Sequence, residues 1–474
     1  NVLGQLVQRI AYYPLFEPNG DFTPTLFGRQ NPLANAELRT IDNRNFRAQI
    51  FNYAQLEILP KLTIKSTLGV NFRLQKQDDF TPSLLIGNGG GGDPRGRERN
   101  NLSYDIQNEN FINYKNNFGK HDVAAFAGMQ IQKYVIENSD FSSLFNDDLI
   151  QTFNNAQPGA ITSTSNNQRH NLYSLFAGFN YDFENKYLIG GTIRRDGSSR
   201  FGDNKEFGYF PSATFGWRVS NENFLKGSSV INNLLLKASW GIVGNERIPN
   251  YEFTGALTPG FVYNGLGGVA PTRLGNSDLG WEETESYNLG LDLSMFKNRL
   301  NINLDFWSKT TTDLLAVTPL PEESGFTGIR RNVGAVDNRG IDFSISGTII
   351  KAKDFSWDSN FNIGYLENEV TKLDGGLPFD SGQFRVEEGQ PIGNMFGFNN
   401  LGIFPYTESN AFTPDGTQLT PNFDGDGAFV NYTLNGTEYS GDIEKLRAAN
   451  RDLEGGDIFW EDLDGNFLID ANDR

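Results

Sequence analysis

The chain has 474 residues, no Cys, and 58 acidic against 40 basic side chains, a formal net charge of −18. That balance excludes a nucleic-acid surface, the missing thiols exclude Cys catalysis and disulfide scaffolds, and the two His, His121 and His170, cannot make a multi-His zinc centre. A mean hydropathy of −0.46 and no apolar run of about 18 residues exclude transmembrane helices, but not a membrane β-barrel, whose strands average polar and apolar residues.

In chain order, residues 1–45 read as an incomplete loop and strand region. About a dozen strands follow over 46–371, and 372–474 reads as a long external loop region. Gly89–Gly92 has no strand before it or helix after it, so it reads as a flexible loop rather than a phosphate cradle. Period-two alternation then dominates. Tyr173, Leu175, Ala177, Phe179, Tyr181 and Phe183 share one face, and Ser174, Gly178, Asn180 and Asp182 share the other. The same split separates Leu234, Leu236, Ala238 and Trp240 from Lys237 and Ser239, and Leu289, Leu291 and Leu293 from Asn288, Gly290 and Asp292.

Short turns are expected at Pro60-Lys61, Glu184-Asn185-Lys186, Phe296-Lys297-Asn298-Arg299 and Lys351-Ala352-Lys353-Asp354. Long polar stretches at about 73–104, 135–169, 244–282, 308–332 and beyond 372 lie between them, which sends every long loop to one end of the sheet. Strands of roughly 10–14 residues with that asymmetry predict an all-β fold, a large antiparallel transmembrane barrel with short periplasmic turns and long extracellular loops. Aromatics at strand ends, with Trp217, Trp240, Trp307 and Trp357, fit girdle or wall positions. A soluble sandwich core would also place Phe and Tyr on one face, so a soluble β-rich glycan-binding or glycan-hydrolysing protein is the competing class. A dozen strands cannot close alone in lipid, so the chain is expected to be part of a larger barrel.

Arg195-Asp196-Gly197-Ser198-Ser199-Arg200-Phe201-Gly202, followed by Phe210-Pro211-Ser212 and Gly216-Trp217, resembles the SusC/RagA family of TonB-dependent outer-membrane receptors. Leu236-Lys237-Ala238-Ser239-Trp240-Gly241, Gly290-Leu291-Asp292, Asn338-Arg339-Gly340-Ile341, Glu388-Gly389-Gln390-Pro391 and Asp462-Leu463-Asp464-Gly465-Asn466 extend the likeness in family order. The resemblance implies a 22-stranded barrel in the Bacteroidetes outer membrane, here without its plug and final strands. It further implies a SusD-like lid lipoprotein, energy from the TonB–ExbB–ExbD complex through that plug, and a glycan or oligopeptide as cargo. A passive porin or a siderophore receptor is the alternative within transport. In Asp196-Gly197-Ser198-Ser199, turn chemistry suffices, with ligand contact as the alternative: Asp and Ser cap amides and Gly supplies positive φ. Phe261 and Tyr263 are the candidates for stacking on a sugar.

The best-defined chemistry is at the end of the sequence. Asp462, Asp464, Asn466, Asp470 and Asp473 occupy positions 1, 3, 5, 9 and 12 of a calcium loop, with the Leu468 carbonyl at position 7. Phe467 stands at position 6, where such loops use Gly, and position 12 is Asp rather than Glu. A structural Ca²⁺ fixing an external loop is the expectation, and a solvated run of Asx turns is the alternative. No residue is assigned to bond breaking.

Overall fold

The computed structural model describes residues 14–448 and 451–473, with the side chains of Tyr263 and Ser381 outside that description. The first part of the 1–45 region, residues 1–13, therefore lies outside the described residues, as does the Tyr263 side chain proposed to stack on a sugar.

After a short helix, α1 (Pro32–Leu38), capped by the Asn31 side chain, the chain is almost entirely strand. The elements are β1 (Thr40–Leu59), β2 (Leu62–Thr81), β3 (Arg95–Phe118), β4 (His121–Leu144), β5 (Thr162–Phe183), β6 (Tyr187–Ser198), β7 (Phe207–Arg218) and β8 (Ile231–Asn245). Then come β9 (Ala256–Tyr263), β10 (Leu266–Arg273), β11 (Glu282–Met295), β12 (Leu300–Thr312), β13 (Leu315–Pro319), β14 (Gly328–Asn332), β15 (Ala335–Lys351) and β16 (Ser356–Lys372). Twelve of them form one sheet in chain order, with β1 and β16 at its edges, while β9–β10 and β13–β14 are separate hairpins within the connections. Each neighbour joined by a short connection can only be antiparallel. Two units are distinguished: one carries the sheet up to residue 366 apart from 334–338, and the other comprises 334–338 and 367–474.

Register makes the alternation continuous across strands. Phe179 on β5 stands opposite Gly191 on β6, which stands opposite Ala213 on β7, then Trp240 on β8 and Tyr287 on β11. One row along, Tyr181, Ile189, Phe215, Ala238, Leu289 and Phe306 align in the same way. A one-residue slip anywhere would turn this apolar face inside out, so lipid on one side fixes the register.

The turns at 60–61, 119–120, 184–186, 296–299 and 352–355 lie at one end, together with the longer 219–230 connection. Glu184, Asn185, Phe296, Lys297 and Asn298 all adopt positive φ there, the local condition for so tight a reversal. Above that end lies an inner aromatic girdle. His121 stacks with Tyr181 and accepts or donates at 2.7 Å to its hydroxyl, and Tyr187 Oη and Trp217 Nε1 both donate to Glu222, at 2.6 and 3.1 Å. At the far edge of the apolar band, Trp240 Nε1 and Tyr287 Oη both donate to Glu285 Oε1, each at 2.7 Å. Trp240 and Tyr287 are the tenth and ninth residues from the turn ends of their strands. At ~3.3 Å per residue and a tilt near 40°, that is a band of about 25 Å, the height of an outer-membrane barrel's apolar zone.

Two expectations are corrected. Strands β1–β5 run for 20–24 residues rather than 10–14, and much of 73–104 and 135–169 is strand rather than loop. Beyond the band no lipid contact imposes one apolar face, so the sustained alternation that reveals a strand disappears. Ion pairs hold these extensions in register instead: Arg44 with Asp78 at 2.7 Å, Lys76 with Glu98 at 3.2 Å, and Arg97 with Asp140. Each such exposed pair contributes only about 0–1 kcal/mol, but they recur on successive strands.

Candidate functional site

The face opposite the apolar band is the polar wall. On β6, Arg194 Nε donates to Asp196 Oδ1 at 2.6 Å, and its Nη2 donates to Gln130 Oε1 at 3.1 Å and Ser174 Oγ at 2.7 Å. Four strand residues are thereby tied across β4, β5 and β6. Further round, Lys237 lies 3.0 Å from Asp292 and 3.3 Å from Asp305. Trp307 also belongs to this wall rather than to a girdle. Its Nε1 donates to Asp342 Oδ2 at 2.8 Å, and Lys309 Nζ stands 5.1 Å from its ring centroid. Nearer the turn end of the same strand, Asn303 Nδ2 donates to Ser344 Oγ at 3.2 Å. The wall thus offers amides, hydroxyls, paired charges and aromatic rings, a surface suited to hydrogen-bonding a polar solute.

At the long-loop end, the 195–202 motif builds the rim. Two parts of the turn-chemistry expectation are overturned. Asp196 and Gly197 lie in β6, not in a turn; Asp196 binds Arg194, and Gly197 has no positive φ. A Cβ on Gly197 would come within 2.5 Å of the Phe207 ring, so the glycine there provides space for that ring. The serines behave as expected: Ser198 Oγ accepts from the Arg200 amide at 3.3 Å and Ser199 Oγ from the Asn171 amide at 2.9 Å. Beyond them Phe201 enters a buried cluster with Phe210, Ile248, Leu279 and Trp281.

Polar groups pin the loops around that cluster. Arg200 donates to Asn250 Oδ1 at 3.0 Å and to the Glu246 carbonyl at 3.1 Å. His170 Nε2 lies 3.1 Å from Glu246 Oε2. Burial alone would raise the Glu246 pKa, but hydrogen bonds to His170 and Ser198, with the nearby Arg200 charge, hold it below the usual carboxylate value. Glu252 joins Arg273 on β10, at 2.8 Å, to Arg330 on β14, at 3.1 Å. Phe261 on β9 is exposed. Trp281, the centre of the rim cluster, was missed by sequence reading. It sits just ahead of β11 with no alternation around it, and its only signal was a Trp between Gly280 and the Glu282-Glu283 pair.

In the second unit, Asp462, Asp464 and Asp473 bring one carboxylate oxygen each within 4.8 Å of one another. Asp462 accepts the amides of Gly465 and Phe467, both at 2.8 Å, and the buried Asp473 accepts those of Leu463 and Asp470, both at 2.8 Å. Asn466 donates to Asp464 Oδ2 at 3.0 Å, while its Oδ1 accepts the Leu468 amide at 2.7 Å. Asp470 Oδ1 accepts the Asn472 amide at 2.8 Å and is not among the three converging carboxylates. The donor set, all hard oxygen, fits Ca²⁺. Phe467 adopts φ +62, the left-handed conformation for which calcium loops use Gly at this position, and its ring is buried against Phe412.

The TonB dependent receptor-like, beta-barrel family model matches residues 4–471. A TonB-dependent receptor of Formosa agariphila is 50% identical over 464 residues, which are 97% of this chain and 45% of the relative. The TonB-dependent receptor SusC of Bacteroides thetaiotaomicron is 31% identical over 391 residues, 79% of this chain and 38% of that protein. Among solved structures, the RagAB peptide importer in its closed-closed state matches with a TM-score of 0.77 at 28% identity, covering 92% of this chain and 48% of the matched one. The chain thus spans less than half the length of these relatives. The register, the two girdles, the long-loop rim and these matches agree: the chain belongs to the TonB-dependent receptor β-barrel family, in its SusC/RagA branch, and is an outer-membrane barrel protein.

Proposed function

We propose that this barrel wall serves a TonB-energised importer of oligosaccharides or oligopeptides, closed from outside by a SusD-like lipoprotein that meets the long-loop rim. The observation that carries the reading is the polar wall. Trp307 donates to Asp342 and has Lys309 against its ring on the face away from lipid, with the Asn303–Ser344 pair further along the same strands, so a passing solute finds both an aromatic surface and hydrogen-bond partners. That combination suits a neutral glycan. Similarity to the RagAB peptide importer favours peptides as the second reading. The test is uptake by cells carrying the full-length receptor, using labelled neutral oligosaccharides and short peptides with and without a protonophore. Uptake of one class that collapses with the protonophore is expected. Passage indifferent to it would mean a passive pore, and cleavage of the oligosaccharide by the purified protein would mean an enzyme.

Asp462, Asp464 and Asp473, with Asn466, Leu468 and Asp470 of the same loop, are proposed to hold a structural Ca²⁺. The convergence of three carboxylates around a left-handed Phe467 supports this. Titration of the full-length receptor should give EGTA-reversible Ca²⁺ binding and slower hydrogen exchange over 462–473, with both lost in Asp462→Asn. Exchange unchanged by Ca²⁺ would leave the loop a set of Asx turns.

A further inference from the structure

The lipid-facing surface is not uniformly convex. A concavity of about 990 Å³ opens on it, floored by Gly191, Ala213 and Ala238 and walled by Phe179, Phe215 and Trp240. All six belong to the apolar face by register. In a bilayer an apolar hollow gains no hydrophobic driving force by choosing one lipid over another. Selection needs shape together with a charge at headgroup depth.

Such a charge stands directly above the hollow. Arg195 lies on the same face of β6, two residues beyond Ile193 at the edge of the concavity. It is the ninth residue from the turn end of β6, the depth of Trp240 and Tyr287 on their own strands. Its guanidinium carbon sits 3.9 Å from the Phe207 ring centroid and 5.8 Å from that of Tyr209. Its Nε is buried without a hydrogen-bond partner, whereas neighbouring Arg194 is fixed to Asp196. Among the described residues Arg195 makes no ion pair. Charges at a lipid face are costly unless matched, and stacking on an aromatic ring leaves the edge of the guanidinium free to grip an oxyanion.

We propose that the outer surface of the barrel holds a phosphorylated glycolipid of the outer leaflet, its phosphate on Arg195 and an acyl chain in the hollow below. Gly197 is part of the device, because only a residue without Cβ lets Phe207 lie under the guanidinium. The site lies on the opposite face from the cargo wall, so its failure and a failure of the transport reading are separate results.

The test is native mass spectrometry of the full-length receptor, delipidated in detergent and then offered lipid A or its dephosphorylated form. The two probes share their acyl chains, so their difference isolates the phosphate. Wild-type receptor should retain lipid A preferentially. Arg195→Gln should lower that retention about tenfold, the scale of a lost charge-assisted hydrogen bond, and Arg195→Lys should keep part of it. Ala213→Phe, which fills the floor from the lipid side, should reduce retention of both forms. Heat-modifiable gel mobility checks that each barrel is folded. Equal retention of the two lipids by wild type, or undiminished lipid A on Arg195→Gln, overturns the proposal. So does a dimer that covers the face and ignores added lipid. If Arg195→Gln does not fold, undiminished retention by Ala213→Phe overturns it equally.

Discussion

Trp281→Ala is expected to release the long-loop rim while leaving the membrane band folded. The indole is 8% exposed, packs at 4.9 Å from the Phe201 ring and 5.2 Å from that of Phe210, and donates from Nε1 to the Glu206 carbonyl at 3.0 Å. Removing it leaves a cavity between two rings and takes from that carbonyl one of its two donors, the other being the Ser198 amide at 3.2 Å. Phe/Trp→Ala changes in such sites cost about 3–5 kcal/mol. The rim cannot relax inward cheaply. Gly208 and Gly244 flank the Phe210–Trp281 pair so closely that a Cβ would lie 2.4 and 2.2 Å from Phe210 Cζ. Hydrogen exchange on the full-length receptor should therefore accelerate over 199–206 and 246–281, with β5–β8 still protected and gel mobility still heat-modifiable. Trp281→Phe, which keeps a ring but loses the donor, should fall between. If exchange in the rim were unchanged in Trp281→Ala, the cluster would not be what holds these loops.

That prediction also marks the limit of what the linear sequence disclosed. The barrel was legible because lipid on one face and water on the other impose a period of two on β5, β8, β11 and β12. The cue failed wherever that contrast ended. Residues 73–81, 95–104, 135–144 and 162–169 are strand beyond the apolar band, where no sustained apolar/polar alternation marks them, so they read as loop, and pairing across strands, as between Arg44 and Asp78, identifies them. The rim cluster gathers Phe201, Phe210, Ile248, Leu279 and Trp281 from well-separated segments. No local pattern could assemble it.

Function was legible by a different route. The Arg195–Gly202 motif carried the resemblance, yet its residues divide among unlike tasks. Asp196 holds Arg194 on the polar wall, Phe201 anchors the rim, and Arg195 faces outward on the opposite side of the same strand. Adjacent residues in a strand point to opposite faces, so one motif of eight residues serves lumen, rim and lipid at once. Turn chemistry, expected over Asp196-Gly197-Ser198-Ser199, holds for Ser198 and Ser199 alone.

Phe467 is a further place where a local rule is broken, and its replacement should separate two opposing terms. At φ +62 a non-Gly residue costs about 1–2 kcal/mol, while burying the ring among Phe404, Phe412, Leu446 and Ile469 contributes more. Phe467→Ala keeps the strain and loses the packing, so a loss of about 3–5 kcal/mol is expected. Phe467→Gly loses the same packing but relieves the strain, and should be less destabilised than alanine by about 1 kcal/mol. Exchange rates over 446–448 and 451–470 in the full-length receptor give both values on one scale. Glycine milder than alanine means that the left-handed turn, which holds Asp462 and Asp464 near Asp473, is kept at a cost offset by the core beneath it. Equal losses would mean that the loop reorganises when the ring is removed, and that its geometry follows from the packing alone.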